Sequence, residues 1–389
     1  MRRATRLGLI GLVVLVVLGA AGLGAGGWIY SDELLPAPPP FTPTRDVLVL
    51  DADEADSRVE LAVTGGDLVD LYTVGLVTDD GLLVLEGDAV PSAEGFVRTG
   101  VLVDGTWPTA GERVGASVDT YFGSPSDTLG IPYETVEIPS PEGTLPGWRV
   151  VPNGADTDTW VVIIHGRGGG LSEGNRLLPT LERLRVPALT ISVRNDLDAP
   201  ADPDGYGYYG AREWEDLTAA VDHLVATEEA ERIVLVGYSQ GASIALSYLR
   251  RSPDADLVAG AVLISPLISL QETLTLQAQL RDIPDPLIPA LLTATRAIST
   301  ARSGLDFDQV EHLDRADELP DDVPMLVTHG DSDAFVPIGP SRAFSTALGD
   351  QVVYEEYPGA DHVREWNVDR ERFEADLADF LTGALDPTD

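Results

Sequence analysis

The sequence predicts an α/β protein whose larger part is a mostly parallel sheet covered by helices on both faces. Three observations carry this expectation. From residue 126 onward, apolar runs of strand length alternate with longer stretches of helical period. The strands are apolar throughout rather than at every second position, as a sheet buried on both sides requires. One of them runs straight into Gly237-Tyr238-Ser239-Gln240-Gly241, and a helix-forming stretch follows.

The first element is an uncharged run over residues 7–30, preceded by Arg2, Arg3 and Arg6. It exceeds the roughly 20 apolar residues that a bilayer requires. The leading arginines favour a cytoplasmic N-terminus, and Trp28 and Tyr30 suit the far headgroup layer. Residues 1–30 are therefore expected to be a single-pass membrane anchor with the rest of the chain extracytoplasmic. The alternative is a signal peptide cleaved near Ala20, Ala21 or Ala25, followed by secretion. Residues 31–44, SDELLPAPPPFTPT, are proline-rich and predict a semi-extended linker.

Residues 45–125 hold short alternating runs at 59–63, 68–77, 82–86 and 96–103, punctuated by Gly, Asp and Pro. They predict a small β-rich domain, a barrel or a sandwich, with no motif that carries chemistry. In the domain that follows, 126–389, strands are expected at 133–138, 147–151, 160–164, 188–193, 232–236, 258–264, 324–328 and 352–355. Helices are expected at 176–184, 211–227, 242–251, 341–347 and 370–381. The insertion 266–322 is longer than an ordinary crossover, and its apolar stripes are broken by Pro284, Pro286 and Pro289. It reads as a helical cap, with two scaffold helices packed on the sheet as the alternative.

Composition narrows the function. The net charge is -39, and no lysine is present, so all basic side chains are arginine. Such a surface repels phosphate backbones and argues against nucleic-acid binding. The absence of cysteine removes disulfides, thiolate metal sites and a cysteine nucleophile. The histidines and carboxylates lack metal-ligand spacing, so neither a metal nor another cofactor is expected.

The strand, turn and helix around Ser239 supply a candidate nucleophile, since flanking glycines let the backbone bend sharply and keep the hydroxyl clear. A serine needs a base, and only five histidines are available. His165 and His329 end strands in His-Gly pairs and read as turn-setting residues. His223, within a helix, and His312, within the insertion, read as surface residues. His362 follows the last strand, at the sheet edge where Ser239 also emerges, and is the candidate base. The acid that would orient it lies in the run from His329 to Pro337, where Asp331 and Asp333 compete. The glycine-rich loop from His165 to Gly170 permits close approach of a ligand. The Arg167 side chain has two readings, an anchor for an anionic substrate group or a surface ion pair.

With these residues in view the chain resembles an α/β-hydrolase, and residues 131–381 are similar to serine hydrolases of the prolyl-oligopeptidase-like and Bem46-like groups. The family pattern H-G-x-x-D-x-x-V-P falls on His329, Gly330, Asp333, Val336 and Pro337, which favours Asp333 over Asp331. The pattern of G-x-x-H with a later aromatic falls on Gly359, His362 and Trp366. The resemblance further implies that the backbone N–H groups of Arg167 and Gln240 form an oxyanion hole. The family's D-x-R-G-x-G-x-S run is replaced here by Val193-Arg194-Asn195-Asp196 and the tyrosine-rich segment 205–210. Those tyrosines either line the pocket mouth or form a plain aromatic loop.

The expectation is a membrane-anchored serine hydrolase that cleaves a carboxylic ester, thioester or amide of a small-molecule or peptide acyl substrate through Ser239, His362 and Asp333. The alternatives are a serine peptidase of the prolyl-oligopeptidase-like type and a non-catalytic surface protein built on the same fold.

Overall fold

The computed structural model describes residues 21–39 and 41–385. Helix α1 occupies residues 21–34. Among the described residues no helix is long and apolar enough to cross a membrane, and residues 7–20 of the expected span lie outside them.

The β-rich domain is a closed barrel of six antiparallel strands: β1 (Val47–Asp53), β2 (Arg58–Ala62), β3 (Val74–Val77), β4 (Gly81–Pro91), β5 (Phe96–Gly105) and β6 (Arg113–Ser117). A single turn of helix, α2 (Asp67–Asp70), precedes β3. Alternation along each strand sends Val49, Val59, Leu61, Leu76, Leu83, Leu85 and Val114 inward, where they form the barrel core. Closure leaves no unpaired edge.

Helix α3 (Pro125–Leu129) leads into the larger α/β domain. Its sheet comprises β7 (Glu134–Ser140), β8 (Gly143–Val150), β9 (Thr159–Ile164), β10 (Ala188–Ile191), β11 (Arg232–Tyr238), β12 (Val258–Ile264), β13 (Met325–Gly330) and β14 (Val352–Tyr357). The spatial order is β14-β13-β12-β11-β9-β10-β8-β7; only β7 and β8 run antiparallel to their neighbours. Helices α4 (Leu178–Leu184), α5 (Trp214–Glu228), α6 (Gln240–Arg251), α9 (Ile338–Leu348), α10 (Glu365–Val368) and α11 (Arg370–Leu385) cover the sheet. β11 is central, and its side chains enter both apolar layers: Ile233 and Leu235 join one, Val234 and Val236 the other. The insertion folds as the two helices α7 (Leu270–Leu280) and α8 (Ile288–Ser303), with Pro289 in the first turn of α8.

Two expectations about the N-terminal segment need correction. Tyr30 does not stand in a headgroup layer: it is buried against Ala278, Ile288, Leu291 and Leu292 of the cap, with the Arg281 guanidinium over its ring. Residues 31–44 are not a free spacer either. Residues 31–34 belong to α1, Leu34 and Leu35 are buried against Tyr208 and Tyr209, and the Phe41 N–H donates to Gly168 O at 2.8 Å. Proline content describes backbone stiffness; it does not encode the apolar face that Tyr30, Leu34 and Leu35 share.

The barrel is docked through α10. The buried Asn367 amide nitrogen lies 3.0 Å from Thr73 O, 2.9 Å from Val118 O and 3.1 Å from Thr120 Oγ1, while its Oδ1 accepts from the buried Arg176 guanidinium at 3.0 Å. Arg364 adds an ion pair to Asp67 at 2.9 Å, and Tyr121 meets Trp366 edge-on. Replacing Asn367 by Leu strands two carbonyls in an apolar seam and removes one acceptor of the Arg176 guanidinium, which keeps Val363 O and Glu173. Urea unfolding of Asn367→Leu is expected to show a loss of about 2–4 kcal/mol.

Candidate active site

The site is built at the carboxyl ends of the parallel strands, starting from the turn between β11 and α6. A Cβ on Gly237 would fall 2.4 Å from Ala242 N, and one on Gly241 would fall 2.2 Å from Ile164 O. Neither position admits a side chain, so the chain can turn this tightly only with glycine there. Ser239 itself takes φ 50° and ψ -107°. Its N–H donates to Ile264 O at 2.9 Å, and its carbonyl accepts from Leu267 N at 3.1 Å. The hydroxyl therefore projects above the sheet at the N-terminus of α6.

His362 arrives from the loop after β14. Its Nε2 lies 2.8 Å from Ser239 Oγ and its Nδ1 lies 2.7 Å from Asp333 Oδ2. Asp361 fixes the loop by accepting from the N–H groups of His362 and Ala334, both at 2.8 Å. The next residue, Val363, has φ 57°, and its N–H donates to the buried Ser265 Oγ at 3.0 Å.

Asp333 is the acid the structure places on His362. Its Oδ1 accepts from Phe335 N at 2.8 Å and Val336 N at 2.7 Å, and its Oδ2 accepts from a second imidazole, His329 Nε2, at 3.1 Å. Burial alone would raise its pKa. Hydrogen bonds and charge from the two histidines outweigh that and hold the carboxyl well below the usual carboxylate range. Asp331 does other work: its Oδ1 accepts from Gly359 N at 2.7 Å and ties the acid loop to the histidine loop.

The remaining histidines lie outside this relay. His329 bonds locally, as expected of a turn-setting residue: Nδ1 lies 2.8 Å from Ser341 Oγ, and Nε2 faces Val336 O and Asp333, a link to the acid that sequence reasoning did not assign. His165 has acceptors on both ring nitrogens, Gly166 O at 2.8 Å and Asp196 Oδ2 at 2.7 Å. Burial would lower its pKa, yet the Asp196 carboxylate raises it to about 9. His312 is not a surface residue. It is buried with Nε2 2.7 Å from Ser243 Oγ, and burial next to Arg250 and Arg315 keeps it neutral, its pKa well below normal. Its polar character misled the sequence reading, because the partner lies on α6. His223 is half-buried on α5.

The loop after β9 completes the mouth. Glu173 Oε2 accepts from Gly166 N at 2.7 Å and holds the loop from below. The Arg167 and Gln240 N–H groups have no acceptor among the described residues, and both residues border the cavity that contains Ser239. The Arg167 side chain makes no ion pair among the described residues. Its guanidinium donates to Leu34 O at 3.1 Å and Pro36 O at 2.6 Å and lies over the Tyr209 ring. The cavity holds about 190 Å³, with apolar walls from Leu34, Leu267, Leu270, Leu274, Phe335 and Val336. Among the described residues no cluster of His, Asp and Glu is arranged to hold a metal ion.

Comparison with known proteins agrees with this architecture. Residues 211–314 match the family model described as serine aminopeptidase, S33. An esterase from Pyrococcus furiosus superposes with a TM-score of 0.53 at 23% identity, covering 68% of this chain and 94% of that one. A second crystal form of that esterase gives 0.52 at 22% identity, covering 67% and 96%. A putative aryl esterase from Burkholderia cenocepacia gives 0.46 at 23% identity, covering 65% and 99%. The likeness to these solved structures shows an α/β-hydrolase fold. No curated protein matches it. The barrel that precedes the hydrolase domain lies outside the family match, which begins at residue 211.

The His165–Asp196 pair makes the stability of this protein depend on pH. His165 holds its proton more tightly folded than unfolded, so its contribution is complete below about pH 6.5 and is lost as pH rises through about 9. Urea titrations in steps across that window should show stability falling by about 2–4 kcal/mol in the wild type. In Asp196→Asn, which starts from a lower stability, the same window should be nearly flat.

Proposed function

We propose that the protein is a membrane-tethered esterase that works through an acyl-enzyme on Ser239. The observation that carries this reading is the continuous hydrogen-bonded line from Ser239 Oγ through His362 to Asp333. His362 Nε2 accepts the hydroxyl proton as Oγ attacks the ester carbonyl. Asp333 keeps Nδ1 protonated and stabilises the imidazolium that forms. The developing oxyanion is met by the Gln240 and Arg167 N–H groups, and two such donors lower the barrier by a few kcal/mol. The imidazolium then protonates the departing alkoxide. Water, deprotonated by the same ring, cleaves the acyl-enzyme and releases the carboxylic acid.

An ester suits the cavity better than a peptide with a free N-terminus. Glu33 is the only carboxylate bordering the cavity among the described residues, and Arg281 already pairs with it at 2.8 Å. No free negative charge is left to receive an ammonium group. The apolar run that begins at Leu7 supplies the tether, which carries the cap close to the bilayer.

A fluorophosphonate probe should label the wild type and fail to label Ser239→Ala; equal labelling would discard the mechanism. Esterase assays should show Asp333→Asn losing about three to four orders of magnitude in kcat, with Asp331→Asn affected only modestly.

A further inference from the structure

The cavity above Ser239 is not enclosed by the hydrolase domain and its cap alone. Tyr30, Glu33 and Leu34 of α1 form part of its wall, facing Leu274 and Arg281 of α7. Tyr30 and Leu34 are 8% and 5% exposed, so both are packed into place and do not rest loosely on the surface.

The segment is fastened at many points. Leu34 O accepts from Tyr209 Oη at 2.7 Å as well as from the Arg167 guanidinium, and Leu35 O accepts from Gly207 N at 2.8 Å. Arg302 pairs with Asp32 at 2.6 Å, alongside the Glu33 bond to Arg281. Higher on the helix, a Cβ on Gly27 would fall 2.9 Å from Ala294, so α1 lies directly against α8. These bonds use backbone carbonyls and charged side chains. The side chains of Tyr30 and Leu34 are left to set the shape of the cavity.

We propose that Tyr30 and Leu34 are specificity-determining residues that close the acyl pocket and restrict the enzyme to short acyl groups. The inference rests on the esterase reading above. A cavity of about 190 Å³ bounded by two bulky side chains from a separate helix accepts a butyryl group and stops a dodecanoyl chain at the α1 wall. Trimming either side chain opens the cavity along α1, and each methylene then buried adds binding in the transition state.

The test uses the full chain in detergent and p-nitrophenyl esters of increasing acyl length. Wild type should prefer butyrate to dodecanoate in kcat/KM. In Leu34→Ala and Tyr30→Ala the dodecanoate-to-butyrate ratio should rise by about tenfold or more. Leu34→Trp guards against a truncated variant that does not fold: it fills the cavity and should lose butyrate turnover while keeping acetate. Labelling by fluorophosphonate and an unchanged melting temperature identify the variants that retain a formed site. An unaltered chain-length profile in labelled variants overturns this inference and leaves the esterase reading intact. A wild type that neither labels nor turns over any ester removes the esterase reading itself.

Discussion

The left-handed backbone at Ser239 is the constraint around which the site is arranged. A non-glycine residue held there costs about 1–3 kcal/mol and persists only where its surroundings leave no alternative. Here β11 is bonded on both sides by β9 and β12, and α6 begins at the very next residue. Glycines 237 and 241 let the turn close to within contact of the neighbouring strand end. The hydroxyl direction is therefore decided by the sheet and the helix together, and the His362 imidazole and Asp333 carboxylate have only to reach a fixed point.

They reach it through loops that brace one another. Gly330, at the end of β13, has no side chain because Ala360 O would lie 2.1 Å from its Cβ, and this closeness brings the acid loop against the histidine loop. Asp361 and Asp331 then link the two with bonds in opposite directions. A buried, fully hydrogen-bonded carboxylate at Asp333 adds rigidity that a solvated one would not. The barrel contributes from outside the hydrolase domain, since α10, directly after His362, is also its docking element.

Much of this was legible in the residues, for identifiable reasons. Ser239 stood out because strand, glycine turn and helix are contiguous in sequence, and His362 because loop position after the last strand is itself information. Asp333 needed more, because two aspartates in one loop look alike residue by residue; the family pattern over residues 329–337 separated them, and the N–H groups of Phe335 and Val336 are the bonds that hold Asp333 in place. Contacts between distant segments were not legible. The bond from Asn367 to Thr73 and the seat of His312 beside Ser243 have no local signature. Nor did the proline-rich segment disclose that its carbonyls are gripped by Arg167 and Tyr209. Periodicity reports which face is apolar; it does not report what that face meets.

The docking of the barrel on α10 sets an order of assembly. Strands β1 to β6 leave the ribosome first and can close on themselves, since all their pairings are internal. Their seat on the hydrolase includes Asn367, synthesised almost three hundred residues after Thr73. Until that stretch emerges, the imidazole of His362 is also missing, so the nascent polypeptide carries Ser239 without the ring it bonds to in the complete chain. Completion of the interdomain seam and of the Ser239–His362 pair thus belong to the same late event in biogenesis.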